Sequence, residues 1–192
     1  RDRPATDVVM NHVEIVRNGK EARQFDAVKI MSDYFEEAKA EEEAFKKMKE
    51  DLVAQFNEQI NEAEETSSGL RILSLKEGDG EEPKVGQMVM VNYAGWLFNG
   101  DLFDSNIEEV AEKFNQLNPG RRDQGGYRPF PMSYSPDAQL AAGFRVGLLT
   151  MKVGDKVRLF IPPHLGYGDN DYGPIPGGST LVFDVEIVGI QE

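Results

Sequence analysis

The sequence contains no cysteine, which removes disulfides, thiolate metal sites and cysteine nucleophiles together. Its two histidines, His12 and His164, lie far apart in the chain, and no serine sits in a Gly-x-Ser-x-Gly setting, so a hydrolytic triad has no visible parts. No window approaches the roughly 18 consecutive apolar residues of a membrane span. The first residues begin at Arg1 without Met and lack the apolar core of a signal peptide, so the chain reads as a processed or excised piece. Basic residues are scarce: 21 Lys and Arg face 34 Asp and Glu, for a net charge of −13. That balance argues against nucleic acid as a partner, because phosphate binding relies on Lys and Arg displacing counterions.

Glycine and proline are both missing between Gly19 and Gly69. This stretch is rich in residues that lose little on entering a helix, and predicts one long helix or a helical pair over about residues 21–68. Val28, Met31, Phe35, Ala38, Phe45, Leu52, Phe56, Ile60 and Ala63 recur mostly at three- and four-residue steps, an apolar stripe along one face. Much of the acidity is concentrated here, with 12 acidic and 4 basic side chains between residues 33 and 65. It reads as a solvated helix face, with a recruitment surface for basic clients as the alternative.

Residues 1–20 differ. Asp7 to Arg17 alternates and is β-branched, as a strand would be, and Asn18-Gly19 signals a turn. A lone strand is unstable, so this one joins the downstream sheet or ends a preceding domain.

From Gly69 the texture changes to short strands punctuated by turns. Leu70–Leu75, Met88–Trp96, Lys156–Ile161 and Thr180–Ile190 read as strands, and Asn99-Gly100 is a hairpin turn. Ser135-Pro136-Asp137 suggests a helix start, predicting Ala138–Leu149 as a short helix weakened at Gly147. One short helix against a curved antiparallel sheet is an α+β arrangement. Ser105-Asn-Ile-Glu108 has the form of a capping box, so a further helix is expected after it, ended by Asn118-Pro119-Gly120.

Asp169-Asn-Asp171-Tyr-Gly173 begins like a calcium loop, but glycine holds its fifth position and Thr180 stands where a bidentate Glu belongs. Gly177-Gly178-Ser179-Thr180 lacks the lysine of a phosphate loop. Neither a metal nor a cofactor is therefore expected.

Val89 to Ser105, Leu165-Gly-Tyr-Gly168 and Ser179 to Glu186, in that order, resemble the FKBP family of peptidyl-prolyl cis-trans isomerases. The resemblance runs from about Gly69 to Glu192, with residues 106–128 as an insertion where compact members have only a few residues. It implies an FKBP-like domain over 69–192, acting on X-Pro bonds of unfolded or flexible polypeptides. Because the motif residues all follow Gly69 and the linker Glu64 to Gly69 is polar, the chain without residues 1–66 is expected to stay folded and active. The proline slot implied is lined by Tyr93, Phe103, Phe130, Leu140, Ile175 and Phe183. Phe144 forms the floor, where the family commonly has Trp. Leu140 and Ala141 fall where the family offers a backbone N–H, Tyr167 resembles its hydroxyl donor, and Asp104 matches its acidic wall residue. The alternative is a proline-recognising binding module or holding chaperone with weak isomerase activity.

The end of residues 1–20 also looks like the close of a bacterial cyclophilin-type domain, as in a fusion of the two isomerase types. Long N-terminal helices in the FKBP family dimerise, so the helix is either a homodimer contact, a client contact or a connector to a first domain. The same resemblance implies the bacterial envelope or periplasm as compartment, with the cytoplasm as the alternative.

Overall fold

The computed structural model describes His12, Gly19, Lys20 and residues 25–191. Apart from His12, the strand expected between Asp7 and Arg17 lies outside the described residues. The helical stretch forms a single helix, α1 (Ala27–Glu62). Two compact units divide the chain inside that helix, Arg1–Glu43 and Ala44–Glu192. In the first, the apolar stripe is bare: Val28 is 81% exposed and Phe35 is 60% exposed.

The second unit is built on one antiparallel sheet. Its strands are β1 (Glu64–Glu65), β2 (Arg71–Lys76), β3 (Met88–Leu97), β4 (Leu102–Ser105), β5 (Phe130–Ser133), β6 (Lys156–Ile161) and β7 (Leu181–Ile190). Their order is β1-β2-β6-β7-β3-β4, and β5 also pairs with β3. Strand alternation sends Val157, Leu159 and Ile161 of β6 and Leu181, Phe183, Val185 and Ile187 of β7 to one face. Phe160 and Val182, one residue out of step, go to the other. Both faces are thus apolar, and each needs a cover.

The first face is covered by helix α4 (Ala142–Leu148). It lies close to β6 because Gly143 and Gly147 carry no side chain where they meet it. A Cβ on Gly143 would come within 2.6 Å of Ile161 Cγ2, and one on Gly147 within 2.5 Å of Leu159 Cδ2. Gly147, read as a weak point of the helix, is therefore a contact surface. α4 also starts later than expected, because Ser135 Oγ accepts the Asp137 N–H at 3.2 Å and closes a local turn in place of a helix cap.

The second face is covered by α1 itself. Phe56 is fully buried in a cluster with Ala94, Trp96, Leu102, Phe114, Phe160 and Val182. Phe45, Met48, Leu52 and Ile60 pack around it. Arg158 of β6 is buried beside Asp184 of β7, with Nε–Oδ1 2.6 Å and Nη2–Oδ2 2.8 Å. Its Nη1 donates to Gln59 Oε1 of α1 at 2.6 Å, and its guanidinium stands 5.0 Å from the Phe56 ring centre. Compact packing accordingly begins at Ala44, ahead of the division expected near Gly69.

Between β4 and β5 the chain leaves β3 and returns to it. This insertion holds two short helices, α2 (Glu108–Lys113) and α3 (Pro119–Asp123). The Ser105 capping box does not form: Ile107 is the N-cap of α2 and makes no side-chain bond. Ser105 Oγ instead donates to Tyr93 O at 2.9 Å and accepts the Ile107 N–H at 3.0 Å. Asn118-Pro119, expected to end a helix, starts one, since the Asn118 side chain accepts the Arg121 N–H at 3.0 Å and Pro119 opens the first turn.

Candidate active site

On the α4 side, at the end of the sheet nearest the insertion, lies a cavity of about 600 Å³. β3 supplies Tyr93, β4 supplies Phe103 and Asp104, and β7 supplies Phe183. Phe130 opens β5 at the mouth and is 57% exposed. Phe144 comes from the first turn of α4, and Tyr167 from the loop that follows a 3-10 turn at Pro163–Leu165. Leu140 and Ala141 line the approach to α4. Of the ten residues singled out in the sequence, nine share this cavity; Ile175 is buried in the adjoining core instead.

The rings form an edge-to-face set. Phe103 meets Phe183 at 5.4 Å between ring centres, and Phe144 meets Phe183 at 5.1 Å, both nearly perpendicular. Tyr93 meets Phe144 at 6.4 Å in the same manner. Such contacts place hydrogen-bearing edges against π faces, and hold the walls rigid. Phe144, the residue expected as the floor, is nearly fully buried and lines the cavity, with no polar atom on its ring.

Asp104 anchors the polar edge. Tyr93 Oη donates to Asp104 Oδ2 at 2.5 Å, and Arg121 Nη1 donates to Asp104 Oδ1 at 2.9 Å. Burial, followed by the hydrogen bond and charge of Asp104, pushes the Tyr93 phenol up to about 12, with Arg121 opposing. For Arg121, burial acts against the charge, but Asp104 and Tyr93 outweigh it and its pKa rises. The Tyr167 phenol is also raised, by burial first and then by Tyr172 and Asp104, so it stays protonated and able to donate at neutral pH. Of the two candidate backbone donors, Leu140 N already donates to Ala138 O at 2.8 Å. Ala141, the N-cap of α4, is the one with no internal acceptor for its N–H among the described residues.

Sequence reasoning missed Arg121, Tyr172 and Arg145, which also line the cavity. Tyr172 stacks on Tyr167 at 4.3 Å with the rings 7° from parallel. Arg121 comes from α3, so the insertion reaches the site through its side chain. Its spacing from Asp104 has no local period, and only the fold brings the two together. Asn106, also missed, is 2% exposed. Its Oδ1 accepts the Tyr93 N–H at 2.7 Å, and its Nδ2 donates to Val91 O at 2.8 Å and Arg128 O at 3.0 Å.

Residues 79–188 match the family profile described as FKBP-type peptidyl-prolyl cis-trans isomerase. The chain is 33% identical over 185 residues to the FKBP-type peptidyl-prolyl cis-trans isomerase FkpA of Aeromonas hydrophila, covering 91% of this chain but 61% of that protein. It is 40% identical over 109 residues to FK506-binding protein 2 of Dictyostelium discoideum, covering 56% of this chain and 68% of the relative. The crystal structure of FkpA from Escherichia coli superposes with a TM-score of 0.53 at 27% identity, over 88% of this chain and 74% of that one. The chain thus spans about three fifths of the Aeromonas relative.

Proposed function

The chain belongs to the family of FKBP-type peptidyl-prolyl cis-trans isomerases, and we propose on that premise that its own cavity accelerates X-Pro rotation in unfolded or flexible polypeptides. The observation that carries the proposal is the convergence of Tyr93, Phe103, Asp104, Phe144, Tyr167 and Phe183 on one cavity.

Rotation about an amide C–N bond requires no nucleophile. Its barrier, roughly 18–20 kcal/mol, is the loss of amide resonance on twisting, and for X-Pro the two isomers lie close in free energy. A catalyst needs to bind the twisted form more tightly than either planar form, by about 1.4 kcal/mol for each tenfold in rate. Phe103, Phe144 and Phe183 would hold the pyrrolidine ring and keep water from the imide carbonyl, whose partial charge is smaller once resonance is lost. The Tyr167 hydroxyl would donate to a substrate carbonyl, and the Ala141 N–H to the substrate backbone. Asp104, fixed by Tyr93 and Arg121, would give the carbonyl side of the slot a rigid polar edge. The holding-module alternative is less favoured, because the ring slot is intact.

Residues 69–192 would carry the catalytic motifs, with 106–128 as an insertion at the rim. A homodimer through α1 is part of the same reading, supported by its exposed apolar residues Val28, Ile30, Met31, Tyr34 and Phe35. The bacterial envelope is the compartment proposed, in keeping with the likeness to FkpA proteins of bacteria.

A proline-limited refolding reaction tests the function. Catalytic amounts of the chain should raise the slow-phase rate in proportion to concentration, and Phe183→Leu, checked for folding by circular dichroism, should lose most of that effect. A slow phase unchanged by the folded wild-type chain would refute the proposal.

A further inference from the structure

We infer that Arg145 makes the cavity selective for a carboxylate beside the proline of the bound chain; this rests on the isomerase reading above and adds a substrate class to it. Three charged residues line the cavity: Asp104, Arg121 and Arg145. Asp104 and Arg121 neutralise each other at 2.9 Å. Arg145 has no carboxylate within ion-pair distance among the described residues. In a chain of net charge −13, the cavity therefore carries one uncompensated cation.

The guanidinium is also held in place. Arg145 Nη1 donates to Ala138 O at 3.1 Å and to Leu140 O at 3.4 Å, which pins it against the segment that lines the approach to α4. Those contacts occupy one nitrogen. A guanidinium has five N–H groups and no acceptor capacity, and its remaining fork matches the two oxygens of a carboxylate. On the isomerase reading a chain held in the slot would run past Leu140 and Ala141, which line the cavity with Arg145, and a carboxylate reaching Arg145 would then belong to a residue next to the proline. A substrate Lys or Arg at that place meets repulsion from the same group.

The test is a comparison of kcat/KM, with the full chain, on two series of tetrapeptides. One carries Glu, Gln or Lys immediately before proline, and the other carries them immediately after it. The wild-type chain should prefer Glu over Gln by roughly three- to tenfold in one series, as expected for a charge-assisted contact open to water, and Lys should fall below Gln. The preference should shrink towards unity at about 1 M salt, where the screening length falls to about 3 Å. Arg145→Gln should abolish the Glu-to-Gln ratio whatever its absolute rate, and Arg145→Lys should retain part of it.

Equal rates on Glu and Gln peptides in both series at low salt would overturn the inference while leaving the isomerase reading standing. So would a ratio that survives in folded Arg145→Gln. Should that variant unfold, the salt dependence of the wild type together with Arg145→Lys decides: a salt-insensitive preference overturns the inference. Failure to accelerate any peptide, Gln included, would refute the isomerase reading and the inference with it.

Discussion

The Asn106 carboxamide takes the Tyr93 N–H at 2.7 Å, filling the place on the edge of β3 where β4 has ended and β5 has not begun. It bonds Val91 O and Arg128 O as well, so one side chain ties both ends of the insertion to the strand that carries Tyr93. Asn106→Leu would remove three hydrogen bonds, of which the one to Val91 O is buried and those to the Tyr93 N–H and Arg128 O are partly buried, at about 1–3 kcal/mol for a buried group left unpaired. Denaturant unfolding should show a loss of several kcal/mol, and a loss below about 0.5 kcal/mol would contradict this account.

Arg121 and Asp104 should be coupled energetically. Both side chains are partly exposed, so the coupling is expected to be modest, about 0.5–1 kcal/mol. A double-mutant cycle with Arg121→Gln and Asp104→Asn, read in kcat/KM, measures it. Additive effects would show that the insertion does not act on the site through this pair.

Gly95 sits beneath the edge-to-face contact of Phe103 and Phe183. A Cβ there would come within 2.6 Å of Phe183 Cε1 and 2.7 Å of Phe103 Cζ. Gly95→Ala should cost about 1–3 kcal/mol in stability, as overpacking does, and should lower kcat/KM by about tenfold or more by splaying the slot. Wild-type activity in the folded variant would show that the two rings do not define it.

The covering of the second sheet face by α1 predicts where the chain can be cut. A fragment of residues 44–192 should unfold cooperatively on heating, whereas residues 69–192, which lack Phe45, Met48, Leu52, Phe56 and Ile60, should aggregate or melt without a transition. Phe56→Ala in the full chain should cost about 3–5 kcal/mol. Equal melting temperatures for the two fragments would refute the cover.

Tyr93 should titrate late for a tyrosine. Its folded pKa, about 12, lies above the ordinary value of 10.0, so the folded state keeps the phenolic proton more tightly than the unfolded state does. The stabilisation this gives is fully present below about pH 10 and is lost as pH rises from there through about 12. Phenolate absorbance should show a tyrosine ionising near pH 12, and Tyr93→Phe should remove that step and flatten the alkaline fall in stability.

The sequence by itself determined the elements whose cause is local or periodic. Alternation in β3, β6 and β7, the Asn99-Gly100 turn and the long stretch without Gly or Pro each act within a few residues, so strands and helix could be read directly. Nine of the ten candidate residues line one cavity; Tyr93, Phe103, Asp104, Tyr167 and Phe183 were legible because they lie in motifs with a fixed order along the chain, and Phe130, Leu140, Ala141 and Phe144 through the wider resemblance. Three things were decided only by the tertiary structure. Ser105 and Asn118 can satisfy more than one hydrogen-bond pattern, and their surroundings selected which one formed: Ser105 pairs with Ala94 of β3, and the Asn118 N–H meets the Tyr127 hydroxyl. An apolar helix stripe shows that a helix needs a partner without saying which; the bare second face of the sheet accepted Phe45 to Ile60. Arg121, Arg145 and Tyr172 meet the cavity through contacts with no sequence period, so their place near Asp104, Leu140 and Tyr167 exists only once the sheet has brought distant segments together.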